Sequence, residues 1–463
     1  MGSASMPKNV CVVGAGMSGL AAARELRREG LAVTVVEQRG DIGGQWLYDP
    51  RTDTDTADPL GATAPVKVHS SMYASVRLIS PRECMGFSDF QFVPRPGAGR
   101  DARRFPGHRE VYCYLKDFCA AFGLEDAVRL NTKVVRVAMA PPPSETTPPV
   151  GYYSSDVKWQ VRSVRVEPDG DERVAVEEVF DAVVVANGHY SQPRLPSIKG
   201  MDVWQRRQLH SHSYRVPDPF HGEVVVVVGC GESGLDIATE LCGVASGVHL
   251  TAKSMEAATT PTPVVSKLLS NHAEIQLRPP VDHLCEDGTV AFADGSCVVA
   301  NTVIYCTGYV YSIPFLDTGG LVTVDGGGER VGPLYGHTFP PAMAPSLSFV
   351  GVPTAEAWEF VYRHSDLPRM EDWKVEVFMT SIVKNKEEDR EAFRDRDDDS
   401  ESVREELRRW RRVAGAQYKA ALAAAAASGG DHADDAGAAS VHNKPPAPCQ
   451  FSVLSGAEPQ NVA

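Results

Sequence analysis

The sequence predicts an α/β protein with two parallel sheets, and three observations carry this prediction. A short apolar run, Val10–Val13, is typical of a buried parallel strand and leads directly into a glycine pattern. The same arrangement recurs 215 positions later, counted from Gly14 to Gly229. Each pattern is followed by a helical stretch and then by another short apolar run. This alternation of strand and helix is what a Rossmann-like, doubly wound sheet requires.

The first glycine pattern has the G-x-G-x-x-G spacing of a dinucleotide-binding turn. Such spacing combines a tight turn, bare backbone for a pyrophosphate and close packing of helix on strand. The helix that follows directs its positive end at the phosphates, and the next strand delivers an acid to the adenosine ribose. The alternative, a glycine-rich turn without a ligand, is disfavoured by this context. The predicted binding residues are Gly14, Ala15, Gly16, Met17, Ser18, Gly19 and Glu37.

The second copy differs from the first at the position that contacts the ribose. Position 37 maps onto Ala252, so the acid is lost, and Lys253 follows it. Exchanging an anion for a cation suits a 2′-phosphate, although Lys253 is alternatively a solvated lysine at a strand end. We therefore predict FAD in the first unit and NADPH in the second. The residues predicted to bind NADPH are Gly229, Cys230, Gly231, Glu232, Ser233, Gly234 and Lys253.

Composition excludes several classes of function. Hydrophobic residues make up 43% and charged residues 23% of the 463-residue chain, as in ordinary globular proteins. The net charge of −14 argues against a nucleic acid or an anionic membrane as partner. The charge-rich stretch 387–406 is interpreted as a solvated segment rather than a site.

The ten cysteines are scattered and form no C-x-x-C motif. This pattern is typical of reduced thiols, and it disfavours a flavin disulfide reductase, which needs a close cysteine pair. No apolar run reaches the roughly 18 residues that span a bilayer, and residues 1–9 lack the apolar core of a signal peptide. We predict a cytoplasmic protein without a membrane partner.

The order of patterns predicts a domain organisation in which the second unit is inserted into the first. Between the units, His108 lies at a proline-glycine helix start and is interpreted as a capping or packing residue. The FAD-binding domain is predicted over 7–200, with a β-meander at about 134–180, and over 306–353. The NADPH-binding domain is predicted over 201–305. A helical segment over 354–413 and a disordered tail over 414–463 follow, and within the tail 420–427 is a candidate extension of the helix.

The combination of motifs resembles the flavin-containing monooxygenases, most closely their plant branch of glucosinolate and alk(en)ylcysteine S-oxygenases. The resemblance spans about residues 8–353 and implies that Gly44, Gln45 and Trp46 lie near the FAD. Besides the two glycine turns, it rests on Gly43–Trp46, Tyr73–Met85, Phe105–Glu110, His210–Arg215, Thr307–Tyr309 and Pro333–Val352.

Three departures from the family pattern accompany this resemblance. Arg206 replaces the glycine of the run that continues to His210 and Tyr214, and we expect it to adopt an ordinary φ. Ile79 replaces an asparagine that lies beside the flavin in many members. A family segment is missing near 354–369, as in a splice variant, a gene-model error or a diverged paralogue.

The resemblance implies a reaction in which NADPH reduces FAD and O₂ adds to flavin C4a. The resulting hydroperoxide then oxygenates the sulfur of a small thioether of the methylthioalkyl glucosinolate or alkylcysteine type. His210 and Tyr214 are expected to orient the linker between the domains. Neither a catalytic acid or base nor a metal site is evident from the sequence. The alternatives are an N-oxygenase of the same family, acting on an amine, and an inactive dinucleotide-binding paralogue.

Overall fold

The computed structural model describes residues 8–52, 60, 67–97, 99–141, 157–167, 172–352 and 371–428. The predicted absence of a family segment near 354–369 and the predicted disorder of 429–463 lie outside these residues.

A five-stranded parallel sheet, in the order β21-β7-β1-β2-β3, forms the centre of the first domain. Its central strand is the apolar run of the first unit, and Val12 is completely buried there. The short final strand returns to this sheet after the second domain is complete, which makes that domain an insertion. The strands are β1 (Asn9–Val13), β2 (Ala32–Val36), β3 (Val128–Arg129), β7 (Ala182–Val185) and β21 (Leu347–Phe349).

A second five-stranded parallel sheet, in the order β12-β11-β10-β16-β9, forms the centre of the second domain. Its central strand consists of five valines and is buried on both faces, as the sequence predicts. The two sheets confirm the predicted fold class. The strands are β9 (Arg207–His210), β10 (Val224–Val228), β11 (Gly247–Thr251), β12 (Ile275–Arg278) and β16 (Thr302–Tyr305).

The two parallel sheets are accompanied by smaller sheets, most of whose strands pair antiparallel. The β-meander consists of β4 (Thr132–Met139), β5 (Trp159–Val166) and β6 (Glu172–Phe180), and β18 (Leu316–Asp317) runs beside β4. The second domain carries a three-stranded sheet of β13 (Val281–Leu284), β14 (Thr289–Phe292) and β15 (Cys297–Val299). Short pairs join β8 (Gln192–Pro193) to β17 (Tyr309–Val310) and β19 (Thr323–Val324) to β20 (Val331–Gly332).

Helices cover the sheets and bury amphipathic faces against them. In the first domain, Leu20, Leu115 and Phe118 share one core cluster with the valines of the sheet. In the second, Leu235, Ile237 and Leu241 do the same. The helices of the two domains are α1 (Met17–Arg28), α2 (His108–Ala121), α3 (Glu232–Leu241), α4 (Met255–Thr259) and α5 (Pro263–Asn271).

The C-terminal segment of the described chain, 371–428, is helical. It contains α6 (Asp372–Val377), a π-helical stretch (Phe378–Lys384), α7 (Asn385–Glu388) and α8 (Glu401–Ser428). The predicted end of helical structure at residue 413 is wrong, because α8 continues to Ser428. The guanidinium of Arg95 lies 3.5 Å from the Tyr418 ring centroid, and alanine favours the helix beyond. Among the described residues, no helix combines the length and apolar character needed to cross a bilayer.

Candidate functional site

The first glycine turn connects β1 to α1 and is closed on its inner side. Gly14 has φ +104°, and a Cβ there would lie 2.6 Å from the carbonyl oxygen of Ala186. A Cβ on Gly19 would overlap the carbonyl oxygen of Gly14. Only glycine fits at these two positions, so the backbone of β1, β7 and α1 meets without intervening side chains.

On its outer side the same turn faces a second glycine segment. Gly16, the N-cap residue of α1, has an ordinary φ of −80°, and the atom nearest to a Cβ built there is the Cα of Gly44 at 3.5 Å. The short 3₁₀ turn Gly44–Trp46 is held there by a hydrogen bond from the Gly43 N–H to the Ala15 carbonyl, at 2.9 Å. The structure thus brings Gln45 and Trp46 to the first turn. Two facing glycines leave bare backbone, which the close approach of a pyrophosphate requires.

Glu37 follows β2 and reaches back into the turn. Its carboxylate accepts hydrogen bonds from the N–H of Ala15 at 2.8 Å and from the N–H of Arg39 at 2.9 Å. Burial raises the pKa of Glu37, and these two N–H groups act against that rise. The structure places the carboxylate beside the turn, and its contact with a ribose stays a prediction.

The sequence reasoning missed Gly351, which follows β21 and lies against the N-terminal end of α1. Its φ is +85°, and a Cβ there would collide with the hydroxyl of Ser18. Met17 and Ser18 form the first residues of α1. The sequence contained a signal for this glycine. Gly188 and Gly308 likewise come shortly after the apolar runs of β7 and β16, and both have positive φ in the structure.

The second glycine turn connects β10 to α3 and repeats the geometry of the first. Gly229 has φ +110°, a Cβ there would lie 2.7 Å from the carbonyl oxygen of Cys306, and a Cβ on Gly234 would overlap the Gly229 carbonyl oxygen. A Cβ on Gly231 meets no atom within 4 Å. The inner side is therefore closed, as in the first turn, and the outer side at Gly231 is open. Ser233 lies in the first turn of α3, and the thiol of Cys230 donates to the Thr251 carbonyl at 3.2 Å.

Strand register supports the equivalence of Glu37 and Ala252. Val13 pairs with Val36 in the first sheet, and Val228 pairs with Thr251 in the second. The next residues are Glu37 and Ala252, so the second site lacks the acid, and the exposed Lys253 follows. The contact of Lys253 with a 2′-phosphate stays a prediction.

The C-terminal segment reaches the second turn, which the sequence did not predict. Glu232 in α3 is paired with Lys386 and with Arg390, the latter at 2.5 Å. Arg390 also pairs with Asp236 at 2.8 Å, and its side chain is only 4% exposed. Burial alone would raise the pKa of Glu232, but the two cations lower it. The interpretation of 387–406 as a solvated segment is therefore wrong, because Arg390 is buried and pairs with residues far away in sequence.

The motif from His210 to Arg215 holds the segments between the two domains. Tyr214 donates to Glu240 on α3 at 2.8 Å, and the Nδ1 of His210 accepts from the His212 N–H at 3.1 Å. Arg215 is buried and donates to the carbonyl oxygens of Asp49 at 2.7 Å and of Ser70 at 2.9 Å. These contacts suit the linker-orienting role expected of the motif, and Arg215 is a further residue that the sequence reasoning missed.

Arg206 has an ordinary φ, as expected, since Asn131 and His337 are the non-glycine residues with positive φ among those described. Its guanidinium donates to the carbonyl oxygens of Ala300 at 2.6 Å and Asp287 at 2.7 Å. The Arg206 side chain thus links the turn at Asp287 to the segment that precedes β16.

His210 is expected to make stability depend on pH. Burial lowers the pKa of His210 to about 3, whereas the unfolded side chain titrates near 6.5. The unfolded chain therefore binds a proton that the folded chain excludes, and the stabilisation present above pH 6.5 is lost as the pH falls towards 3. Denaturant unfolding between pH 6 and 4 should show that His210→Gln reduces the slope of unfolding free energy by about 1.4 kcal/mol per pH unit. The control is the exposed His221→Gln, and an unchanged slope in His210→Gln would contradict the expectation.

Comparison with known proteins assigns the family. A family model described as flavin-binding monooxygenase-like matches residues 7–260. The chain is 54% identical over 349 residues to flavin-containing monooxygenase FMO GS-OX-like 8 of Arabidopsis thaliana, covering 75% of this chain and 71% of that protein. It is 52% identical over 357 residues to FMO GS-OX-like 9 of the same plant, covering 76% and 72%.

A solved structure supports the same family assignment. S-allyl-L-cysteine S-oxygenase from Allium sativum superimposes with a TM-score of 0.62 and 36% sequence identity, covering 91% of this chain and 98% of that one. FAD and NADPH are the cofactors predicted from the sequence, and the family assignment confirms the flavin. The predicted resemblance is likewise confirmed: the chain belongs to the flavin-containing monooxygenase family of oxidoreductases.

Proposed function

We propose that the protein is an NADPH- and FAD-dependent monooxygenase that oxygenates the sulfur of small thioethers, of the methylthioalkyl glucosinolate or alkylcysteine type. The observation that carries the proposal is a pair of glycine turns with the same closed inner side and bare glycine backbone on the outer side. The first is followed by Glu37 and the second by Ala252 and Lys253. The similarity to an S-oxygenase of an alkylcysteine, with 36% identity, supports sulfur as the acceptor.

In this proposal the residues of the chain bind the two cofactors and orient them. The N-terminal ends of α1 and α3 each hold one pyrophosphate, because their free N–H groups and positive dipole ends meet bare backbone at Gly16 and Gly231. Glu37 holds the ribose of FAD, and Lys253 the 2′-phosphate of NADPH. The bound flavin supplies the redox chemistry that activates O₂. The cytoplasmic location predicted from the sequence stays a prediction.

Product analysis tests the proposed function. The purified full chain is incubated with NADPH, O₂ and an equimolar mixture of a methylthioalkyl thioether and a tertiary amine. We expect NADPH oxidation coupled to sulfoxide formation. Formation of N-oxide instead identifies an N-oxygenase, and NADPH oxidation that yields only peroxide, or no oxidation, identifies an uncoupled or inactive paralogue. Each of the last three outcomes refutes the proposal.

Gly231→Ala should weaken NADPH binding without disturbing the fold. The added methyl group meets no protein atom within 4 Å, so it lies in the open side of the second turn. We expect the KM for NADPH to rise by about 10- to 100-fold, or about 1.4–2.7 kcal/mol, with unchanged flavin content and Tm. The matched variant is Gly16→Ala, which should instead lower flavin content. Wild-type KM in Gly231→Ala would place NADPH elsewhere.

Lys253→Ala should reduce the preference for NADPH over NADH. Loss of one charge-assisted contact to a phosphate costs about 1.5–3 kcal/mol, so the ratio of the two kcat/KM values should fall by about 10-fold or more. The exposed Lys267→Ala, on α5 of the same domain, serves as the control. An unchanged ratio would mean that Lys253 is only a solvated lysine.

A further inference from the structure

Three metal-binding side chains converge at the far end of α3, away from the second glycine turn. The sulfur of Cys242, one ring nitrogen of His272 and one carboxylate oxygen of Glu274 all lie within 4.8 Å of one another. Cys242 follows α3 and His272 follows α5, while Glu274 immediately precedes β12. The group lies on separate elements of the second domain, so the fold rather than a local motif brings it together.

The surroundings of this group favour a cation. Two helices, α3 and α5, end at it, and the C-terminal end of a helix carries a partial negative charge. The carboxylates of Glu274 and Glu391 both act electrostatically on the thiol of Cys242. Thiol, imidazole and carboxylate are thus crowded around one point at which negative charge accumulates.

A fourth residue stands where a supporting partner of a metal-bound histidine is expected. The carboxylate of Glu391 lies 2.6 Å from Nε2 of His272, and its other oxygen accepts from the amide of Asn271 at 2.7 Å. Histidines that bind a metal through one ring nitrogen usually donate the other N–H to a carboxylate, which fixes the ring. With Nε2 engaged by Glu391, Nδ1 is the ring nitrogen that His272 would offer to a metal ion.

We propose that Cys242, His272 and Glu274 bind one divalent metal ion of the zinc class, with Glu391 orienting the imidazole. Thiolate, imidazole and carboxylate together are ligands that Zn²⁺ accepts in tetrahedral sites. With bonds of about 2.0–2.3 Å, ligand atoms in such a site are about 3.5 Å apart, so small side-chain rotations close the group around the ion. A fourth ligand position stays open to water.

The bound ion ties the C-terminal segment to the second domain. Glu391 is adjacent in sequence to Arg390, which pairs with Glu232 at the other end of α3. The sequence did not predict the site, because Cys242 is separated from His272 by an entire β-α unit and from Glu391 by much of the chain.

Titration with Co²⁺, followed by competition with Zn²⁺, tests the proposal on the full chain after treatment with a chelator. The signal is the set of long-wavelength d–d bands of tetrahedral Co²⁺, which lie beyond the absorption of a flavin. We expect one Co²⁺ per chain, displaced by Zn²⁺, and an increase in Tm on Zn²⁺ addition. Absence of the bands, or binding without a defined stoichiometry, overturns the proposal.

Four variants show whether these residues are responsible for metal binding. Cys242→Ser should abolish the bands and weaken Zn²⁺ binding by more than about 100-fold, and Glu391→Gln should weaken it by about 10- to 100-fold. Cys297→Ser, which alters an exposed thiol of the same domain, should change nothing. If Cys242→Ser fails to fold, His272→Gln replaces it. Equal effects of Cys242→Ser and Cys297→Ser, or wild-type affinity in Glu391→Gln, refute the assignment.

Discussion

Replacing Gly19 with alanine is expected to prevent the first domain from folding around a flavin. The added Cβ would overlap the carbonyl oxygen of Gly14 and lie 3.5 Å from the side chain of Val12, which is completely buried. Relief requires α1 to move away from β1, so we expect a loss of more than about 3 kcal/mol in the free energy of unfolding. Flavin absorbance per chain and thermal unfolding measure the effect.

A glycine in open space provides the control for this variant. A Cβ on Gly415, within α8, meets no atom within 4 Å. Gly415→Ala should therefore be neutral or stabilise the protein by up to about 1 kcal/mol, since alanine favours a helix. A Gly19→Ala protein that retains full flavin content and the wild-type Tm would show that the first turn is not closed in the way described.

Replacing Glu110 with alanine should be comparably damaging, through charge rather than through packing. Glu110 is 2% exposed and accepts hydrogen bonds from Nε and Nη2 of Arg100, at 3.0 and 2.9 Å, and from the N–H of Asp101. Its carboxylate also lies 3.5 Å from Arg82, whose side chain is 1% exposed. Removing one partner of a buried ion pair costs about 3–5 kcal/mol, which denaturant unfolding at pH 7 will measure.

Two variants separate the contribution of the charge from other effects. Glu110→Gln keeps a hydrogen-bond acceptor at the same place and should cost less than Glu110→Ala. The exposed Glu405→Ala, on α8, should change the free energy of unfolding by no more than about 0.5 kcal/mol. A loss below about 1 kcal/mol in Glu110→Ala would mean that Arg82 and Arg100 find other partners.

The parts of the fold that follow local rules could be predicted from the sequence. Apolar runs such as Val10–Val13 predict buried parallel strands, and the glycine spacing predicts the turn after each strand, because both depend on a few adjacent residues. The equivalence of Glu37 and Ala252 could be predicted in the same way, since strand length and register are repeated between the two units.

Contacts between distant segments could not be predicted in this way. The partner of Arg390 is Glu232, 158 positions away, and charge density alone cannot distinguish a buried arginine from a solvated one. The same holds for Gly351, whose role depends on the return of β21 to the first sheet. Beyond residue 413 the sequence indicates only 420–427 as a helical extension, because the anchoring contact between Tyr418 and Arg95 joins segments that are distant in sequence.

The position of the C-terminal segment has a consequence for motion. Within this segment, Arg390 pairs with Asp236 of the second domain, whereas Asp395 and Asp399 pair with Arg77 and Arg104 of the first. A rotation of one domain relative to the other would have to break one of these two sets of ion pairs. The segment therefore restrains any rotation of one domain against the other.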